Sequence, residues 1–141
     1  MKYARAALTL AAAASALVVG LQSPAMASDS YHEMHTGDAF GGSVFGYYGT
    51  ATFTEHGDVV TICDADADGH GVKMYVSLDD AYGPTQYTFH VGGKGNCSTH
   101  RASEGGAYDL PEKRYIGFLF CMYDGPGEEG ECKAYKFYND N

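Results

Sequence analysis

Tryptophan is missing from all 141 residues. That absence removes the hallmark of an antibody domain, a Trp packed against an inter-sheet disulfide. Positive charge is scarce as well, with nine Lys and Arg against 18 Asp and Glu. Nucleic-acid affinity rests on cations that neutralise phosphates, so no nucleic-acid partner is expected. An anionic membrane surface is disfavoured for the same reason. No Ser stands in a G-x-S-x-G elbow, and no C-x2-C pair with His partners offers a zinc site. After the N-terminal segment no long apolar run follows, and no stretch carries a convincing helical period. Catalytic residues, a metal and a cofactor are accordingly not expected, and the chain reads as a non-enzyme.

What is present begins with a secretory leader. Lys2 and Arg5 form a basic start, Ala6 to Leu21 an apolar run, and Ala25-Met26-Ala27 a small-x-small cleavage site. Residues 1–27 are therefore expected to be removed, and the product to be secreted and free of the membrane. Leu110-Pro111 lacks the Thr and apolar span of a wall-sorting signal, and the first cysteine, Cys63, lies too far along for lipidation. The mature chain then holds seven Lys and Arg against 18 acids, a formal charge of −11. Such a field favours solubility and a basic partner.

Cys63, Cys97, Cys121 and Cys132 are an even set in an oxidising compartment and read as two disulfides. Three connectivities are open. The favoured one is Cys63–Cys97 with Cys121–Cys132, because the second pair brackets a turn-rich segment, Met122 to Glu131, that can close locally.

Residues 28–42 are polar and read as a flexible arm; residues 43–141 read as one domain. Short β-branched and aromatic runs separated by Gly, Asp, Asn and Pro predict strands at Val44–Tyr48, Thr50–Glu55, Asp58–Cys63, Gly71–Leu78, Thr85–Val91, Lys113–Tyr123 and Lys133–Tyr138. His56-Gly57 fits a tight turn between the second and third. Val72, Met74, Val76 and Leu78 share one face of their strand, as do Tyr87, Phe89 and Val91 of theirs, the mark of half-buried antiparallel strands. Lys113–Tyr123 is apolar on both faces and belongs in the middle of a sheet. The expected architecture is all-β, an immunoglobulin-like antiparallel sandwich of about seven strands, with a small β-barrel as the alternative. Gly92 to Pro111 reads as a long irregular loop tied down by Cys97.

Four features invite chemistry. Asp64-Ala65-Asp66-Ala67-Asp68-Gly69 opens like a calcium loop, but Tyr75 stands where the bidentate acid belongs, so an acidic turn is preferred. His32-Glu33-Met34-His35 has one residue too few for the zinc-protease motif. Glu128, Glu129 and Glu131 read as solvated loop charge rather than a glycosidase pair. With Tyr123 they form the candidate partner-binding set, on a loop tied at its base by Cys121–Cys132. Tyrosine abounds, and Tyr47, Tyr48, Tyr75, Tyr82, Tyr108, Tyr123 and Tyr138 are candidates for contact surface.

Gly49-Thr50-Ala51-Thr52-Phe53, Cys63-Asp64, Ala67-Asp68-Gly69-His70-Gly71-Val72, the isolated Cys97, Leu110-Pro111-Glu112 and Phe120-Cys121 with Asp124 ahead of Cys132 carry a resemblance. In this order of elements the chain resembles small secreted actinobacterial (Streptomyces-type) proteins of unknown function. The resemblance implies a secreted two-disulfide β-sandwich and no particular activity. Secreted subtilisin inhibitors are similar in size and bridge number, but their shorter cysteine spacing comes first, and no inhibitory bond is assigned. The expected function is a non-catalytic binding module for an extracellular protein. A glycan- or cell-wall-binding module and an inhibitor of an extracellular enzyme are the alternatives.

Overall fold

The computed structural model describes residues 30–37 and 47–140. Eight strands run in chain order: β1 (Tyr31–Thr36), β2 (Gly49–Thr54), β3 (Val59–Asp64), β4 (Gly71–Leu78), β5 (Thr85–Gly92), β6 (Cys97–His100), β7 (Arg114–Tyr123) and β8 (Glu129–Asn139). They form two four-stranded antiparallel sheets, ordered β1-β2-β3-β6 and β5-β4-β7-β8. The chain changes sheet three times, after β3, β5 and β6. This is the Greek-key sandwich of the immunoglobulin-like class rather than a closed barrel.

The alternation in the sequence explains the layers. Phe53, Val60 and Ile62 point inward from one sheet, and Val72, Met74, Val76, Phe118 and Phe120 from the other, all fully buried. Each such side chain contributes roughly 1.5–3 kcal/mol by leaving water. β7 lies between β4 and β8, as its two apolar faces demand. Its outer face is covered at Gly117 by the β4–β5 turn, where an added Cβ would stand 2.0 Å from the Asp80 carbonyl carbon.

Both disulfides are those favoured from sequence, Cys63–Cys97 and Cys121–Cys132. Each joins neighbouring strands of one sheet, β3 to β6 and β7 to β8, instead of bridging the two sheets. Loop-closure entropy assigns them about 4 and about 3 kcal/mol for the 34- and 11-residue separations.

Three expectations need correction. Tyr31–Thr36, read as part of a flexible arm, is β1, in register with β2 from Tyr31↔Thr54 to Thr36↔Gly49. Met34 and Thr36 are buried on its inner side, enough to seat a strand whose other residues are polar. Cys97–His100, read as loop, is β6, and short 3₁₀ turns at Ala102–Glu104 and Gly106–Tyr108 follow it. β8 begins at Glu129, four residues earlier than expected, so the β7–β8 connection shrinks to Asp124–Glu128. The expected leader, residues 28–29 and 38–42 of the expected arm, and most of the expected strand at Val44–Tyr48 lie outside the described residues. Tyr47 and Tyr48 are not in a strand.

Candidate functional site

The outer face of the β5-β4-β7-β8 sheet carries a connected group of aromatic and charged side chains. Strand register creates it. Alternation turns Lys73 and Tyr75 of β4 outward, along with Leu119, Cys121 and Tyr123 of β7. Pairing sets Lys73 opposite both His90 and Cys121, and Tyr123 opposite Glu129.

Glu129 Oε1 is the hub. It accepts a hydrogen bond from Lys73 Nζ at 2.7 Å and another from the Tyr75 hydroxyl at 2.7 Å. The Lys73 ammonium lies 4.7 Å from the Tyr75 ring centre and 5.0 Å from that of Tyr123, within cation–π range. His90 packs against Tyr123 with ring centres 4.8 Å apart. The Lys73 ammonium and then the Tyr75 hydroxyl hold the Glu129 carboxyl below its usual range, and Glu129 in turn raises Lys73. These contacts restrict the side chains that make them.

A second aromatic pole sits at the other end of β7. Tyr115 and Tyr138 are opposite one another, 48% and 43% exposed, with ring centres 5.1 Å apart and planes crossed at 70°. Lys136 Nζ lies 5.0 Å from the Tyr115 centre. Eight residues of strand, about 27 Å, separate Tyr115 from Tyr123.

Of the four residues proposed from sequence, Tyr123 and Glu129 meet in this cluster. Glu128 is exposed on the hairpin tip, where its N–H bonds the Gly125 carbonyl. Glu131 is exposed with φ of 45°, and its carbonyl accepts the Thr36 hydroxyl at 2.7 Å. It is thus tied to β1 rather than to the cluster. Lys73, His90 and Tyr115 are not among the site residues expected from the sequence. The β4 alternation already turned Lys73 outward; joining it to Glu129 needed the strand order.

The remaining motifs take structural places. Asp64 Oδ1 accepts the Asp66 N–H, Asp66 Oδ1 the Ala67 N–H and Asp68 Oδ1 the His70 N–H, so each carboxylate supports its own turn. No group of three or more His, Cys, Asp or Glu among the described residues is arranged to hold a metal ion. His32 bonds Glu55 at 2.7 Å and stacks on Phe137, while His35 stacks on Tyr47. His70 Nδ1 pairs with Asp124, joining the β3–β4 turn to the β7–β8 hairpin. That hydrogen bond lifts His70 above its ordinary pKa.

No protein-family model, curated protein or solved structure matches the chain.

Proposed function

We propose that the protein is a secreted, non-catalytic module that binds an extracellular protein through the outer face of the β5-β4-β7-β8 sheet. The observation that carries this reading is the ordered set Lys73, Tyr75, His90, Tyr123 and Glu129. Tyr side chains supply broad, stiff, amphipathic contact area, the kind that dominates binding energy at interfaces. The formal charge of −11 after removal of the leader favours a basic partner and speeds its approach. Two disulfides suit an oxidising extracellular setting, and the leader supplies the route to it. The resemblance to small secreted actinobacterial proteins agrees with that setting. No cofactor is required, and an inhibitor of an extracellular enzyme is the same reading with an enzyme as the partner.

A glycan- or wall-binding module is the second reading, favoured by the exposed Tyr115 and Tyr138. Sugar faces stack best on coplanar rings, and the 70° crossing of these two argues for a protein instead.

The test is affinity capture from culture supernatant with the mature protein as bait. The double variant Tyr75→Ala, Tyr123→Ala should reduce capture about 10-fold or more. Glu131→Ala, outside the cluster, should leave it unchanged. Undiminished capture by the double variant would remove this face from the account, and retention on insoluble polysaccharide alone would favour the glycan reading.

A further inference from the structure

Beside the aromatic cluster, at the same end of the sandwich as the β7–β8 hairpin, the β3–β4 and β5–β6 turns enclose a cleft of about 490 Å³. Its chemistry is unusual for so acidic a loop. Asp64, Asp66, His70 and Lys94 line it together with four glycines, Gly69, Gly71, Gly92 and Gly93. The glycines leave its walls as bare backbone, which suits a slender aliphatic stem.

Asp64 distinguishes this cleft from a solvated acidic turn. The residue is 2% exposed, and only one of its carboxylate oxygens is used within the protein. Oδ1 accepts the Asp66 N–H at 3.1 Å, while Oδ2 is buried with no hydrogen-bond partner. A buried carboxylate oxygen without a donor is costly, and a cation brought alongside removes that cost. Asp66 adds a second negative charge to the lining, and Asp68 and Asp124 stand next to it in chain or through His70. A divalent metal is a poor fit, because these carboxylates are committed to turn N–H groups and do not converge as a set. One ammonium with three N–H donors needs fewer oxygens and tolerates a looser cage.

We infer that the cleft between the β3–β4 and β5–β6 turns receives an alkylammonium group, a lysine side chain of the protein partner, with Asp64 as its charge partner. This rests on the reading of the protein as a protein-binding module and names the side chain that partner would present. His70 and Asp124 hold the cleft turn against the hairpin, so the lysine docks next to the Tyr123 cluster. Lys94, the one ammonium in the lining, opposes the incoming charge and weakens binding without abolishing it.

The test uses n-butylammonium as the lysine mimic and n-butanol as its neutral counterpart, followed by two-dimensional amide NMR of the mature protein. The ammonium should give saturating shifts confined to residues 64–71 and 92–95, and the alcohol none. Asp64→Asn keeps an acceptor for the Asp66 N–H and should abolish the shifts. Lys94→Ser, on an exposed turn, should tighten binding several-fold. Absence of shifts in the wild-type protein, equal shifts in Asp64→Asn, or no gain in Lys94→Ser would overturn the assignment. Calcium ion producing the same shifts at lower concentration would overturn it in favour of a metal site. Capture through Tyr75 and Tyr123 is read separately, so failure of the ammonium titration leaves that reading standing and failure of capture leaves the titration unaffected.

Discussion

The Tyr135 hydroxyl makes both of its hydrogen bonds to one residue, accepting the His35 N–H at 3.0 Å and donating to the His35 carbonyl at 2.7 Å. Tyr135 belongs to β8 and His35 to β1, so a single side chain clasps the edge of one sheet to the edge of the other. Thr36 reinforces the clasp through its hydroxyl on the Glu131 carbonyl.

Removing that hydroxyl should loosen β1 before anything else. Tyr135→Phe keeps the ring and deletes two hydrogen bonds, a loss of about 1–3 kcal/mol. Urea unfolding gives the total, and hydrogen exchange should locate it, with β1 amides opening earlier than those of β4 and β7. Uniform loss of protection over both sheets would mean that β1 is not a separate, weaker unit.

Gly117 yields a second expectation. Its missing Cβ makes room for the backbone of Asp80 and Ala81, so Gly117→Ala forces the β4–β5 turn off the sheet. Overpacking of this kind costs about 1–3 kcal/mol. The shift in urea midpoint measures it, and a neutral result would show that the turn does not rest on β7.

How much of this could be read in the sequence depended on burial contrast. β4 has the bounds expected for it, Gly71–Leu78, because Val72, Met74 and Val76 alternate with Lys73, Tyr75 and Ser77. β1 escaped because Met34 is its only large apolar inward residue, and its order comes from partners such as Tyr135, 100 residues away. β6 escaped because Cys-Ser-Thr-His has no apolar face; the Cys63–Cys97 bridge and the Thr61–Thr99 hydroxyl contact hold it to β3. The candidate site was half legible for a related reason. Tyr123 and Glu129 were visible as residue types, but Glu129 becomes a fixed acceptor only when register brings Lys73, 56 positions earlier, beside it.

The His70–Asp124 contact makes the hairpin sensitive to pH. The Asp124 carboxylate raises the His70 pKa above its ordinary value, so folding gains from the pair below that ordinary value. The gain fades as pH rises through the folded-state pKa, where His70 loses its proton. Both groups are partly exposed, so the effect on global stability is small, and it is best read locally. Proton NMR of His70 should show a midpoint above that of an unstructured histidine, and Asp124→Asn should lower it. An unchanged midpoint in the variant would place the cause elsewhere.

Covalent footprinting of tyrosine reads most directly which face meets the proposed partner. Hydroxyl-radical labelling of residues 28–141, alone and in the captured complex, should show strong protection of Tyr75 and Tyr123 in the complex. Tyr31, 57% exposed on the opposite sheet, should label equally in both states. Protection of Tyr31 with Tyr75 and Tyr123 unchanged would contradict the account and place the interface on the β1-β2-β3-β6 sheet.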